Sequence, residues 1–305
     1  MDVGVIGVGT MGRNHARVYS ELKTVKNLYL FDLNLRAAQE LAKKFDANIA
    51  SSEKELLDAV DAVSVVVPTQ YHYNIAREIV RKNIPVLIEK PICLTSKQAK
   101  ELIREIPADL VVGVGHIERF NAIIAELRQI ISHPHYVEIH RHNPASSRVT
   151  GSTVVEDLMI HDIDIIFHLT EITSWDVHSS GNGDVASALF TLNNHPVFLS
   201  ASRKASKKVR TIYIEQEHLT IEGDFMNQEI FIYRKPGRIS FEDARYNQEC
   251  TIEKVLVNQS EPLKRELSIF LDCIKYGKKF PVTPEQGLFN LQVCEKIIGG
   301  FPKVA

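Results

Sequence analysis

Gly7-Val8-Gly9-Thr10-Met11-Gly12 follows the apolar run Val3–Ile6 and opens a stretch of helical period. A strand, a glycine loop and a helix in this order form a dinucleotide cradle. The first glycine permits the tight turn and the second lets the main chain approach a pyrophosphate. The third lets the helix pack close to the strand, leaving unpaired N–H groups and the helix dipole to face the anion. Asp32 stands at the end of the next apolar run, 20 residues beyond Gly12, where a carboxylate accepts both ribose hydroxyls of an adenosine and repels a 2′-phosphate. The cofactor expected is therefore NAD rather than NADP, with Gly7, Gly9, Thr10, Met11, Gly12 and Asp32 as binding residues. Arg36, one helical turn on, is read as a solvated helix residue.

The same alternation of apolar runs with helical stretches continues to about residue 115: Leu28–Phe31, Ala62–Val67, Val86–Ile88 and Leu110–Val114 are strands with helices between them. That order gives an α/β domain, a doubly wound parallel sheet of the Rossmann type. A helix over 120–131 and an alternating run over 136–142 come next. One long helix over 153–169 follows, and then strands succeed one another directly at 185–192, 196–202, 209–214, 219–222 and 228–233. Strands without helices between them make an open, mostly antiparallel sheet, hence a separate α+β domain. For 305 residues, at about 100 to 200 per domain, two domains are expected: 1–118 for NAD and 119–305 for substrate and assembly.

Lys+Arg number 36 against Asp+Glu 38, so there is no general basic field for nucleic acid or anionic lipid, and a small-molecule partner is favoured. The apolar runs fall short of the ~20 residues of a membrane helix. Cys93, Cys250, Cys273 and Cys294 lack CxxC spacing, which reads as reduced thiols in a cytoplasmic protein. The His133-Pro134-His135 and His140-Arg141-His142 pairs have no carboxylate or cysteine spacing beside them, so no metal is expected. The cationic run Arg203-Lys204-Ala205-Ser206-Lys207-Lys208 is read as a solvated hairpin loop.

Two features carry chemistry. Lys90, in Glu89-Lys90-Pro91, ends a strand at the carboxyl edge of the parallel sheet, where doubly wound folds bind ligands. In the long helix, which a Thr153–Glu156 capping box is expected to start, Asp157, His161, Asp164 and His168 fall at i, i+4, i+7 and i+11 and form one polar stripe. A polar stripe on an otherwise apolar helix is expected to line a site, with Asp164 and His168 the pair read as facing solvent.

The glycine loop, Pro68-Thr69 followed by His72, Glu89-Lys90-Pro91 and Asp157-Leu158-Met159-Ile160-His161 together resemble the glucose-fructose oxidoreductase, inositol dehydrogenase and rhizopine-catabolism family of NAD(P)-dependent oxidoreductases. The resemblance covers nearly the whole chain. It implies a catalytic set of Lys90, Asp157 and His161, with Pro68, Thr69, His72, Glu89 and Lys90 near the cofactor and a cis peptide before Pro91. In that set the His161 imidazole removes the hydroxyl proton and Lys90 stabilises the developing charge, with Lys90 as base the alternative. It also implies a homodimer or homotetramer formed through the C-terminal sheet. Asn14-His15-Ala16-Arg17-Val18-Tyr19 and Gly115-His116-Ile117-Glu118-Arg119-Phe120-Asn121 look most like the branch that oxidises C3 of UDP-N-acetylhexosamines. His116, Arg119, Asn121, Arg141 and Arg148 are then candidate substrate contacts, the arginines for a pyrophosphate, with a helix-entry role equally open for the 116–121 segment. A free-sugar or cyclitol dehydrogenase is the alternative within the enzyme class, and a cofactor-sensing regulator the alternative outside it. Intact Lys90, Asp157 and His161 favour the enzyme.

Overall fold

The computed structural model describes residues 1–144, 151–235, 239–242, 245–248 and 251–302. Along the chain run β1 Asp2–Ile6, α1 Thr10–Glu21, β2 Asn27–Phe31, α2 Leu35–Phe45, β3 Asn48–Ile49, α3 Glu53–Ala59, β4 Ala62–Val65, α4 His72–Arg81, β5 Val86–Glu89, α5 Ser96–Glu105 and β6 Val112–Gly115. There follow α6 Ala122–Ile130, β7 Tyr136–His142, a π-helical turn Val155–Met159, α7 Ile160–Leu169, β8 Trp175–Gly181, β9 Val185–Leu192, β10 His195–Ser202, β11 Val209–Glu215, β12 Leu219–Asp224 and β13 Glu229–Arg234. The chain continues with β14 Ile239–Glu242, β15 Arg245–Gln248, β16 Thr251–Lys254, α8 Pro262–Tyr276 and α9 Pro284–Gly299.

Two compact units result: Met1–Phe120 with Glu261–Gln292, and Asn121–Ser260 with the segment from Val293. The expectation assigned everything after residue 118 to the second unit, whereas residues 261–292 group with the first. The reason is the apolar face of α8. Leu267, Phe270 and Leu271 enter the same core as Tyr19 and Phe120, and the Phe280 ring packs 5.6 Å from Phe120 and 6.0 Å from Phe270. Ion pairs Arg17–Glu261 and Lys264–Glu21 fasten its start to α1.

In the first unit six parallel strands take the order β3-β2-β1-β4-β5-β6, the doubly wound arrangement. β4, β5 and β6 are buried at every position, as strands covered on both faces must be. The order reverses between β1 and β4, so the crevice at their carboxyl ends, beside the glycine loop, is the ligand position of this topology.

In the second unit eight strands run β16-β13-β12-β11-β7-β10-β9-β8, antiparallel except for the β7–β10 pair. β14 and β15 form a separate two-stranded sheet. β7 alternates: Val137, Ile139 and Arg141 are buried, while Tyr136, Glu138, His140 and His142 lie half-buried on the opposite face. The helix expected over 153–169 divides into the π turn and α7. Thr153 and Glu156 are paired, but not as a reciprocal box: both the Thr153 N–H and its hydroxyl donate to the Glu156 carboxylate, at 2.9 and 3.0 Å. No helix among the described residues is long and apolar enough to cross a membrane.

Candidate active site

Gly7 continues from β1 with φ +97°, and a Cβ there would lie 2.7 Å from the Val66 carbonyl oxygen, so no side chain fits. At Gly12 a Cβ would fall 1.9 Å from the Gly7 carbonyl oxygen, which is how closely α1 sits on the loop. Gly9 caps α1 without a side-chain hydrogen bond, and a Cβ there would meet nothing within 4 Å. The loop is thus closed against the protein at two glycines and open at the third, in front of the free N–H groups of a helix start. That is the shape a pyrophosphate needs. Thr10 is exposed and Met11 half-buried beside it.

Asp32 is fixed for its task by the main chain. Oδ2 accepts the Val8 N–H at 2.7 Å and Oδ1 the Asn34 N–H at 2.7 Å, and each oxygen keeps a lone pair for a ribose hydroxyl. Loop and carboxylate together fit NAD.

Beyond β4, Pro68 is exposed and Thr69 begins a short 3₁₀ turn that leads into α4 at His72. The His72 ring is buried, with Nδ1 2.8 Å from the Pro91 carbonyl oxygen and Nε2 2.8 Å from that of Val67, so both ring nitrogens face main-chain carbonyls. Burial lowers its pKa and outweighs the two carbonyls. The Lys90–Pro91 peptide is cis. Glu89 is buried: Oε1 lies 3.0 Å from His15 Nε2, and Oε2 accepts the Lys90 N–H at 3.2 Å. Burial opposes its ionisation, but the His15 hydrogen bond and the nearby Lys90 charge win, holding the carboxyl below its ordinary pKa. Lys90 itself is half-buried at the end of β5.

His116, Arg119 and Asn121 are all buried. The Asn290 amide lies 3.4 Å from His116 Nε2. Asn121 takes the helix-entry role: its Oδ1 caps α6 by accepting the Ile123 N–H at 3.3 Å, and its Nδ2 donates to the Phe225 carbonyl at 3.0 Å.

In the second unit Asp157 stands on the π turn and His161, half-buried, on the first turn of α7. π turns recur at functional sites, and a spacing of four residues keeps the two on one side of the helix. Arg203, read from sequence as part of a solvated loop, is 8% exposed and lies 3.2 Å from Asp157 Oδ2. Arg141 is also misplaced by the expectation. It is 1% exposed and ion-paired with buried Asp162 at 2.7 Å, and its guanidinium lies over the Phe225 ring. It is a structural cation, not a surface for a pyrophosphate. Asp164 is buried rather than solvent-facing, and His168 lines a cleft of about 510 Å³ with His133, His195 and Arg128. Arg148 and Cys250 lie outside the described residues.

A model of an oxidoreductase family with an NAD-binding Rossmann fold matches residues 1–116. UDP-N-acetylglucosamine 3-dehydrogenase of Acidithiobacillus ferrooxidans is 34% identical over 288 residues, 90% of this chain and 88% of that protein. The chain belongs to the glucose-fructose oxidoreductase, inositol dehydrogenase and rhizopine-catabolism family. A solved structure of the same Acidithiobacillus enzyme covers 99% of this chain and 97% of its own, with a TM-score of 0.88 and 31% identity. Inositol 2-dehydrogenase of Pseudarthrobacter chlorophenolicus is 29% identical over 192 residues, 57% of this chain and 56% of that protein. As a member of this family the protein is an NAD-dependent oxidoreductase acting on CH–OH groups.

Proposed function

We propose that this enzyme oxidises the C3 hydroxyl of a UDP-N-acetylhexosamine to a 3-keto sugar. The observation that carries the reading is the 34% identity to a UDP-N-acetylglucosamine 3-dehydrogenase across 90% of the chain, where two inositol 2-dehydrogenases are 29% identical over 57% of it and 26% identical over 79%.

NAD, when bound, supplies the hydride acceptor. The glycine loop would hold its pyrophosphate and Asp32 its ribose. His161 takes the hydroxyl proton, imidazole being the side chain most often used for acid–base transfer near neutrality. Lys90 donates a hydrogen bond to the substrate oxygen as negative charge gathers there, and the Glu89 carboxylate under its main-chain N–H fixes where the lysine begins. Asp157 orients the sugar through a neighbouring hydroxyl. Arg119 and Arg148 remain the proposed cations for the nucleotide pyrophosphate. The glycine loop and Asp32 of the first unit serve the coenzyme, and the half-buried face of the eight-stranded sheet makes a homodimer or homotetramer. The buried free thiols of Cys93, Cys273 and Cys294 fit a cytoplasmic setting.

The test is NADH formation by the purified protein with UDP-N-acetylglucosamine, its uronic acid, myo-inositol and glucose. The expected result is a kcat/KM for one UDP-sugar at least ~10-fold above that for the free sugar and cyclitol. Lys90→Ala and His161→Ala should each cost ~100-fold or more in turnover with NAD affinity kept. Equal efficiency on myo-inositol would replace the nucleotide sugar by a cyclitol.

A further inference from the structure

We infer that Arg203 is a positioning residue for the reaction: it fastens the π turn that carries Asp157 and holds that carboxylate in one orientation toward the sugar. The inference rests on the role proposed above for Asp157.

Arg203 follows β10 at the head of a cationic loop, and its neighbour behaves as such loops do: Lys204 makes a solvated pair with Asp184. Arg203 instead turns inward. Nη1 donates to the Ser152 carbonyl at 3.0 Å, and Nη2 donates to the Thr153 carbonyl at 3.0 Å and lies 3.2 Å from Asp157 Oδ2. Nε donates to the same Asp157 oxygen at 3.3 Å. All three guanidinium nitrogens are therefore used on the entry to the π turn and on Asp157, which separates a positioning arginine from one that grips a ligand phosphate.

The turn needs such a fastening. π-helical hydrogen bonding is a rare local choice, and the Ser152 carbonyl just before it requires a donor. Arg203 supplies that donor and adds a second to the Thr153 carbonyl, which also accepts the Asp157 N–H at 3.1 Å, while Glu156 holds the Thr153 N–H and hydroxyl from the other side. Asp157 remains reachable: its side chain is 24% exposed and lines a small cleft of about 230 Å³ with Asn143, Pro144, Arg203 and Lys208. One oxygen is thus fixed by the guanidinium while the carboxylate borders open space. A lysine could not replace the arginine, because a single ammonium cannot span two carbonyls and a carboxylate in the fork geometry these atoms require.

The experiment is a double-mutant cycle on Arg203→Lys and Asp157→Asn, using whichever of UDP-N-acetylglucosamine and myo-inositol the wild-type enzyme oxidises faster, so that an error about the substrate does not enter. Arg203→Lys is expected to lower kcat by roughly 10- to 100-fold with NAD affinity, read by coenzyme fluorescence, changed less than about 2-fold. In the Asp157→Asn background the same change should cost less than about 3-fold, because the carboxylate charge that the guanidinium holds is already gone. A kcat for Arg203→Lys within about 2-fold of wild type, or an equal loss in both backgrounds, overturns the inference. Near-normal turnover of Asp157→Asn alone would instead refute the role of Asp157. Should Arg203→Lys fail to fold, Glu156→Gln loosens the same turn from its other side. A fall in kcat of about 3- to 10-fold with NAD affinity kept supports positioning through the turn, and an unchanged kcat overturns it.

Discussion

His15 Nε2 lies 3.0 Å from Glu89 Oε1, joining the helix that starts at the glycine loop to the strand end that presents Lys90. His15 is wholly buried and Glu89 7% exposed, so water does not compete for the pair. Replacing Glu89 by Gln keeps the shape and removes the charge. The expected outcome is a loss of about 1–3 kcal/mol in urea unfolding, together with a larger fall in turnover than in NAD affinity. Unchanged stability would mean that the pair contributes nothing to the fold.

The glycines of the loop should separate coenzyme binding from folding. Gly9→Ala places a methyl in open space, so its melting temperature should match wild type while NAD binding falls by at least ~10-fold through collision with the pyrophosphate. Gly12→Ala drives a methyl into the Gly7 carbonyl and should lower the melting temperature before any ligand is added. Thermal melts with and without NAD check both, and normal NAD affinity in Gly9→Ala would place the pyrophosphate elsewhere.

Asp32 carries the choice of coenzyme. With its two oxygens held by the Val8 and Asn34 amides, it should favour NAD over NADP, and Asp32→Ala should narrow the gap between their dissociation constants. Titration of both coenzymes against both proteins measures it. Tighter NADP binding by the wild type would contradict it.

Acid should weaken the first unit through His72. Its folded pKa lies below the ordinary 6.5 because burial disfavours the imidazolium. The unfolded chain therefore binds the proton first, and stability is lost as pH falls below that value toward the folded pKa. Glu89, also lowered, adds a loss of the same sign below its ordinary 4.5. In urea unfolding between about pH 7.5 and 5, His72→Gln should show a shallower decline than wild type. Identical slopes would show that His72 is not the titrating group.

What the sequence made legible were local constraints. The glycine loop and Asp32 depend on one strand–turn–helix unit, while the cis Lys90–Pro91 peptide was expected only through the family resemblance. Contacts between distant segments were hidden. Arg203 meets Ser152, Thr153 and Asp157, 46 to 51 residues earlier, so its charge alone suggested solvent. α8 returns to the first unit from beyond residue 260, which no local period reveals. β3, of two residues, is too short to read, and β8 buries only Val177. Arg141 did carry a signal: it is in phase with Val137 and Ile139 on β7, and an arginine on the apolar side of an alternating strand points inward.

The most direct test of the proposed reaction is the fate of the hydrogen on C3. The enzyme is supplied with UDP-N-acetylglucosamine deuterated at C3 alone, and the NADH formed is examined by mass spectrometry. The expected result is NADH that carries the deuterium, with slower turnover than for the unlabelled sugar, and unlabelled NADH from substrate deuterated at C4. NADH without deuterium from the C3-labelled sugar would contradict oxidation at that carbon.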